Sequence, residues 1–291
     1  MPLVAVALVL LGCGEPEPRG NAPQTPEPAE AEVVADEATL PIEEAYEFAA
    51  VAPEPEELAR QWRRFRLTGD HPDVDFDTQV VIFVGFGESG SCPYEHGGVE
   101  IDAAEKRVSF IDGADGATAC TDDYNPRTLG LTMDRNSLPD GVFQVQPPNG
   151  AAVSVAAEPV ETPPQEEPDV VSAKISEVNV TLDPEPVATD RRLDVGVRND
   201  SDEQVATNRL VRLDRWTGLG FEPADPPQVK GDGDIIEAGL GAEEHLLDID
   251  VAAHGLTPGW YRVTVDLGVT TGDYGRLLIR RAVELVEPSG S

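Results

Sequence analysis

From residue 79 onward the chain is written in short apolar runs that alternate with polar residues and stop at turn residues, a rhythm that fits strands. A period of two sends successive side chains to opposite faces of a strand, whereas a helix needs apolar residues three and four apart. Residues 79–84 form a short buried run. Residues 98–102 and 106–111 alternate across a brief turn, the pattern of a hairpin. Residues 128–133 and 142–145 complete a small antiparallel set, divided by the Leu138-Pro-Asp-Gly141 turn, with a second turn at 112–116. A further series at 173–182, 193–198, 209–216, 245–251, 260–267 and 277–286 is punctuated at regular intervals, as in an all-β sandwich.

One segment has the other period. Residues 53–67 (PEPEELARQWRRFRL) predict a short helix, with prolines and Glu56-Glu57 at its start and arginines at its end, complementing the helix dipole. Leu58, Trp62 and Phe65 fall on one face and are expected to pack on the helix's own domain.

Between these regions the composition changes. Residues 13–52 are rich in Glu, Pro and Ala, with too little apolar content to offset the entropy of ordering, and predict a disordered acidic tether. Residues 148–169 turn Pro- and Glu-rich again and predict a linker. The expected organisation is a small antiparallel β domain with a short N-terminal helix over 53–147, then a β-sandwich over 170–288. The chain carries 55 acidic against 21 basic residues, net charge −34. So acidic a surface excludes nucleic acid as a partner, since a polyanion needs a basic footprint. Self-repulsion of this size is tolerated where salt screens it, which suits a salt-adapted source.

The N-terminus adds a location. An apolar run from Leu3 to Leu11 is too short to cross a bilayer but fits the central region of a secretory signal over residues 1–12. Leu10-Leu11-Gly12-Cys13 resembles the lipobox of bacterial lipoproteins, although no Lys or Arg precedes the run as signals usually require. The resemblance implies cleavage before Cys13, lipid on its sulfur, and an extracytoplasmic protein anchored to the cell membrane by several acyl chains. Three cysteines is an odd count for an exported chain; lipidating Cys13 leaves Cys92 and Cys120, a disulfide pair in an oxidising compartment. The rival reading, metal ligation by these cysteines, lacks a CxxC or neighbouring ligands at the right spacing.

Within 170–288, four segments resemble a bacterial immunoglobulin-like domain of extracytoplasmic proteins: Val195-Gly-Val-Arg-Asn199 with the polar residues after it, Leu210-Val-Arg-Leu-Asp-Arg-Trp216, Gly255-Leu-Thr-Pro-Gly-Trp-Tyr-Arg262 and Ala282-Val-Glu-Leu285. Such domains are spacers or binding modules, and the resemblance transfers no active site. Gly87-Glu-Ser-Gly-Ser-Cys-Pro93 and Cys120-Thr-Asp-Asp-Tyr-Asn-Pro-Arg127 are similar to modules of other bacterial lipoproteins without assigned function, which supports the Cys92–Cys120 pairing.

Catalytic motifs fail on their context. Gly85-Phe-Gly87-Glu-Ser-Gly90 matches GxGxxG, but Ser-Cys-Pro follows where a dinucleotide site needs a helix. Ser89, Ser91 and His96 invite a nucleophile reading without a GxSxG frame. The four histidines, at 71, 96, 245 and 254, lack ligand spacing, so no metal site is assigned. No cofactor is expected; calcium is the one ion the oxygen-rich turns at 112–115, 122–123 and 231–237 leave open, and none fits an EF-hand. Tyr124 and Arg127, beside the disulfide, are the candidate binding residues, with a carboxylate partner the plainer expectation for Arg127. The functional expectation is a non-enzymatic binding or structural module of the cell envelope. The alternatives are an envelope hydrolase acting from the first domain, or an accessory subunit recruiting a solute or protein partner.

Overall fold

The computed structural model describes residues 27–39, 48–113, 120, 125–148, 150–164, 170–171, 178–183, 185–201, 204–207, 210–230, 236–238, 242–269 and 276–288. The fold is mainly β, with the one short helix expected. The N-terminal half contains β1 (Glu27–Ala29), β2 (Ala31–Glu37), β3 (Phe48–Ala52), α1 (Pro55–Arg64), β4 (Gln79–Glu88), β5 (His96–Asp102), β6 (Arg107–Asp112), β7 (Asn125–Asp134), β8 (Val142–Gln146) and β9 (Val153–Ala156). These strands form two sheets, ordered β1-β5-β6-β8-β9 and β2-β7-β4-β3. Pairing is antiparallel except between β6 and β8, where the predicted all-antiparallel set gives way to a parallel pair.

β4 explains why residues 79–84 read as continuous apolar sequence: both of its faces are buried. Val80, Ile82, Val84 and Phe86 point into the core between the sheets, against Leu129, Leu131, Met133 and Phe143. Val81 and Phe83 point the other way, under α1, where Leu58, Trp62 and Phe65 meet Phe48 and Ala50. The expected helical stripe is therefore internal packing, with Phe65 stacked on Phe48 at 4.4 Å between centroids.

Two boundaries need correction. The disordered tether expected over 13–52 contains β1, β2 and β3. Averaging hid Phe48-Ala-Ala-Val-Ala52, an uncharged run buried along its whole length. β2 escapes a composition argument for another reason: an edge strand pairs through its backbone and needs few buried side chains, here Ala35. Likewise the linker expected over 148–169 contains β9, whose four residues are buried and pair with β8.

The C-terminal half contains β10 (Val170–Val171), β11 (Val178–Asp183), β12 (Val187–Ala188), β13 (Arg192–Asn199), β14 (Val205–Thr207), β15 (Leu210–Trp216), β16 (Phe221–Lys230), β17 (Ile236–Ala238), β18 (Ala242–Asp250), β19 (Gly259–Val269) and β20 (Arg276–Val286). A small sheet, β11-β13-β18, and a large one built on β19 and β20 close over a single core. Leu193, Val195 and Val197 enter it from one side, and Leu213, Val263, Val265 and Ile279 from the other. This is the sandwich expected from the alternating runs. Part of the run at 173–182 lies outside the described residues. β16, with prolines at 223, 226 and 227, gave no strand signal; it is an edge strand pairing only with β15, where missing amide donors are tolerated.

The two halves meet at the turn between β15 and β16. Gly218 takes a positive φ of 96° there, which suits a residue without Cβ. The turn inserts beside β9: Ala156 N–H donates to Leu219 O at 2.8 Å, Val160 N–H to Gly218 O at 2.9 Å, and Trp216 Nε1 to Val160 O at 2.7 Å. Trp216, Phe221 and Ala282 share a small apolar cluster with Val142 and Val160 from the first half.

Candidate functional site

Arg127 stands near the start of β7, opposite Phe86 of β4, and ties three chain segments together. Its Nε and Nη2 donate to the two carboxylate oxygens of Asp36 on β2, at 2.7 and 2.8 Å. Nη1 donates to Glu88 Oε2 at 2.8 Å and to the carbonyl of Tyr94 at 2.7 Å. The carboxylate partner expected for this arginine is thus two carboxylates. The fork geometry of guanidinium suits such bidentate pairing, and these bonds hold its pKa above the ordinary arginine value, Asp36 contributing most.

Tyr94 closes the far side. Its ring is buried edge-on to Phe86 at 5.3 Å and lies 5.8 Å from the Arg127 guanidinium. Its hydroxyl donates to Ile111 O at 3.0 Å and meets His96 Nδ1 at 3.2 Å. Burial, seconded by Asp112, pushes the phenol up to about 12. Burial also lowers the His96 pKa, so the imidazole is held neutral at pH 7.

The cysteines lie on the rim of this cluster. The sulfurs of Cys92 and Cys120 are 2.09 Å apart, at disulfide distance. Cys92 N–H donates to Ser89 O at 3.2 Å, and Tyr94 N–H to Glu88 Oε2 at 2.9 Å, so the segment from 88 to 94 folds back on itself. Ser89 Oγ pairs with Ser91 Oγ at 3.1 Å, while His96 pairs with Tyr94. The hydroxyl that meets this imidazole is the phenol of Tyr94. Cys13 and Tyr124 lie outside the described residues, as do Asp115, the acidic pair at 122–123 and residues 231–235. Asp112 is described, and its Oδ1 accepts from Glu95 N–H at 3.2 Å. Among the described residues no group of three His, Cys, Asp or Glu side chains converges to hold a metal ion.

Sequence reading missed two ionic clusters. In the second half, Asp214 is wholly buried and accepts from Arg212 Nε at 2.8 Å and from Arg262 Nε and Nη2 at 3.0 and 2.8 Å. Between the halves, Glu222 accepts from Gln61 Nε2 at 3.1 Å, from Arg64 at 3.2 Å and, more closely, from Arg60. The first had a signal: Arg212 and Asp214 alternate with the apolar residues Val211 and Leu213 in a strand. The second had none, because its partners are far apart in sequence.

A groove of about 360 Å³ opens where β2 and β4 begin and β7 ends, lined by Glu30, Glu32, Thr78, Gln79, Thr132 and Asp134 among others. Comparisons of the chain with protein-family models, with curated proteins and with solved structures find no match.

Proposed function

We propose that this chain is an exported lipoprotein of the cell envelope, anchored through lipid on Cys13, and that its two β units form a binding or structural module without catalytic chemistry. The observation that carries the reading is the pairing of Cys92 with Cys120. A solvent-facing disulfide persists in an oxidising compartment outside the cytoplasm. The remaining cysteine, Cys13, ends an apolar run of signal length. The second unit fits the role of an immunoglobulin-like spacer, and Arg127 is occupied as a structural tie.

The anchor also bounds the reach of the module. About 14 residues separate Cys13 from β1, and a fully extended chain of that length spans at most about 50 Å. The folded part is therefore held close to the membrane surface. Mass spectrometry of the native protein tests the proposal. Expected are loss of residues 1–12, acyl mass on Cys13, and a Cys92–Cys120 crosslinked peptide. An intact, unmodified Cys13 in membrane fractions, or a Cys13→Ser variant that stays membrane-bound, would overturn it.

A further inference from the structure

We propose that the Cys92–Cys120 disulfide is a thiol-sensitive latch on the N-terminal strap, and that its reduction lets β1 and β2 leave the sandwich. Cys120 is exposed and Cys92 partly so, which opens the bond to a dithiol reductant. Two electrons and two protons from that dithiol convert the bond to two thiols while the reductant closes its own disulfide. The bond is the covalent tie nearest the start of β7, lying just ahead of Asn125 in the chain.

What depends on that end of β7 is the strap. Arg127 grips Asp36 with two hydrogen bonds and Glu88 with a third. The next two residues, Thr128 and Leu129, are the main-chain partners of Glu37 and Asp36. Thr128 Oγ1 also donates to Thr39 O at 2.5 Å. Fraying of β7 at this end removes all of these together. What then holds β2 is its pairing from Ala31 to Ala35 with the far part of β7 and the bond from Thr68 to Glu37, with few buried side chains behind them: Ala35 is its one buried residue, Val34 is partly buried, and Val33 is 40% exposed. With β2 gone, β1 is a three-residue edge strand whose Ala29 is only partly buried. Local openings of this kind draw on the least-packed elements of a fold.

The consequence rests on the lipid-anchor reading, although the latch does not. Releasing both strands moves the first paired strand from β1 to β3, so the upper bound on the span from Cys13 grows from about 50 Å to about 120 Å. Reduction would then lengthen the leash that holds the module to its membrane.

Hydrogen exchange on the purified full-length protein, with and without dithiothreitol, tests the latch. Intact mass reports the two-hydrogen gain on reduction. The expected result is about tenfold faster exchange at residues 27–39 on reduction, with residues 79–83 of β4, which pair with the far part of β7, and β13 unchanged. The Cys92→Ser/Cys120→Ser double variant is expected to show fast exchange without reductant. An Arg127→Gln variant should be fast in both redox states. Unchanged exchange at 27–39 in both the reduced protein and the double variant would overturn the proposal. So would acceleration of residues 79–83 of β4 in step with β2, because the bond would then support the whole unit. A Cys13→Ser protein should behave identically, which separates the latch from the anchor.

Discussion

Replacing Asp214 with Asn removes one charge from the interior of the second sandwich while keeping the side chain's shape. Asp214 has no solvent exposure, and Arg212 and Arg262 beside it are each 6% exposed. Burial alone would push this carboxyl up, but Arg262 and then Arg212 more than reverse it and hold it below the usual carboxylate range. Asparagine removes the buried charge that the two guanidiniums share, and breaking a buried ion pair from one side typically costs about 3–5 kcal/mol. Arg262 keeps one compensation, since its guanidinium lies 4.7 Å over the Phe221 ring. The loss is therefore placed near the lower end, about 3 kcal/mol. Urea unfolding followed by Trp216 and Trp260 fluorescence in a Trp62→Phe background measures it. The pH dependence supplies a second reading. A carboxyl with a depressed folded-state pKa contributes stability above its unfolded value of about 4, and that contribution fades as pH falls through the folded value. The gap between wild type and Asp214→Asn should thus be full at pH 7 and shrink below about pH 4. A loss under about 1 kcal/mol, or a gap that persists unchanged to pH 2, would refute the account of this cluster.

Three further outcomes follow from the packing. Phe65→Ala empties a site with no solvent exposure between Phe48 and Phe83, and should cost the first unit about 3–5 kcal/mol; a cost below about 1 kcal/mol in chemical unfolding would mean that α1 is not part of that core. Glu222→Gln keeps the shape but drops the charge that Arg60 and Arg64 share, at about 1–2 kcal/mol because Arg60 is 40% exposed. Differential scanning calorimetry should then resolve the two units, and a variant that unfolds as the wild type does would show that this ion cluster does not couple them. Gly130→Ala puts a Cβ 3.0 Å from Phe83 Cε1 and 3.1 Å from Ala35 Cβ, so β2 must shift at a cost of about 1–3 kcal/mol. Wild-type hydrogen exchange at 31–37 in that variant would contradict the tight approach of β2 to β7.

The alternation of apolar residues was enough to read the strands that carry the two cores, because β7, β13, β19 and β20 bury side chains at regular spacing. It missed strands held chiefly by backbone pairing. β2 is acidic and β16 is proline-rich, and both lie at sheet edges where hydrogen bonding to one neighbour suffices. β3 and β9 are short enough to vanish into the average of their acidic surroundings. Of the candidate residues, Arg127 is the one for which a carboxylate partner is the plainer expectation, and that partner is there. What no local pattern could give is the identity of that partner, since Asp36 lies 91 positions away.

With 55 acidic residues against 21 basic ones, self-repulsion opposes compaction throughout, and a carboxylate finds a positive partner only where one is placed for it. Two of the placements coincide with joints that apolar contact covers thinly. Arg127 fastens an edge strand that has one fully buried residue, and Arg60 and Arg64 fasten one unit to the other through Glu222. Arg212 and Arg262 join neighbouring strands through Asp214. Each arginine tie is worth most where water is excluded, so salt should weaken the half-exposed Arg60 contact well before the buried Asp214 cluster. Moderate salt should also relieve the general repulsion. The two effects oppose each other at the joint between the units and reinforce nothing at Asp214, so raising salt should stabilise the second sandwich more than it stabilises the coupling of the halves.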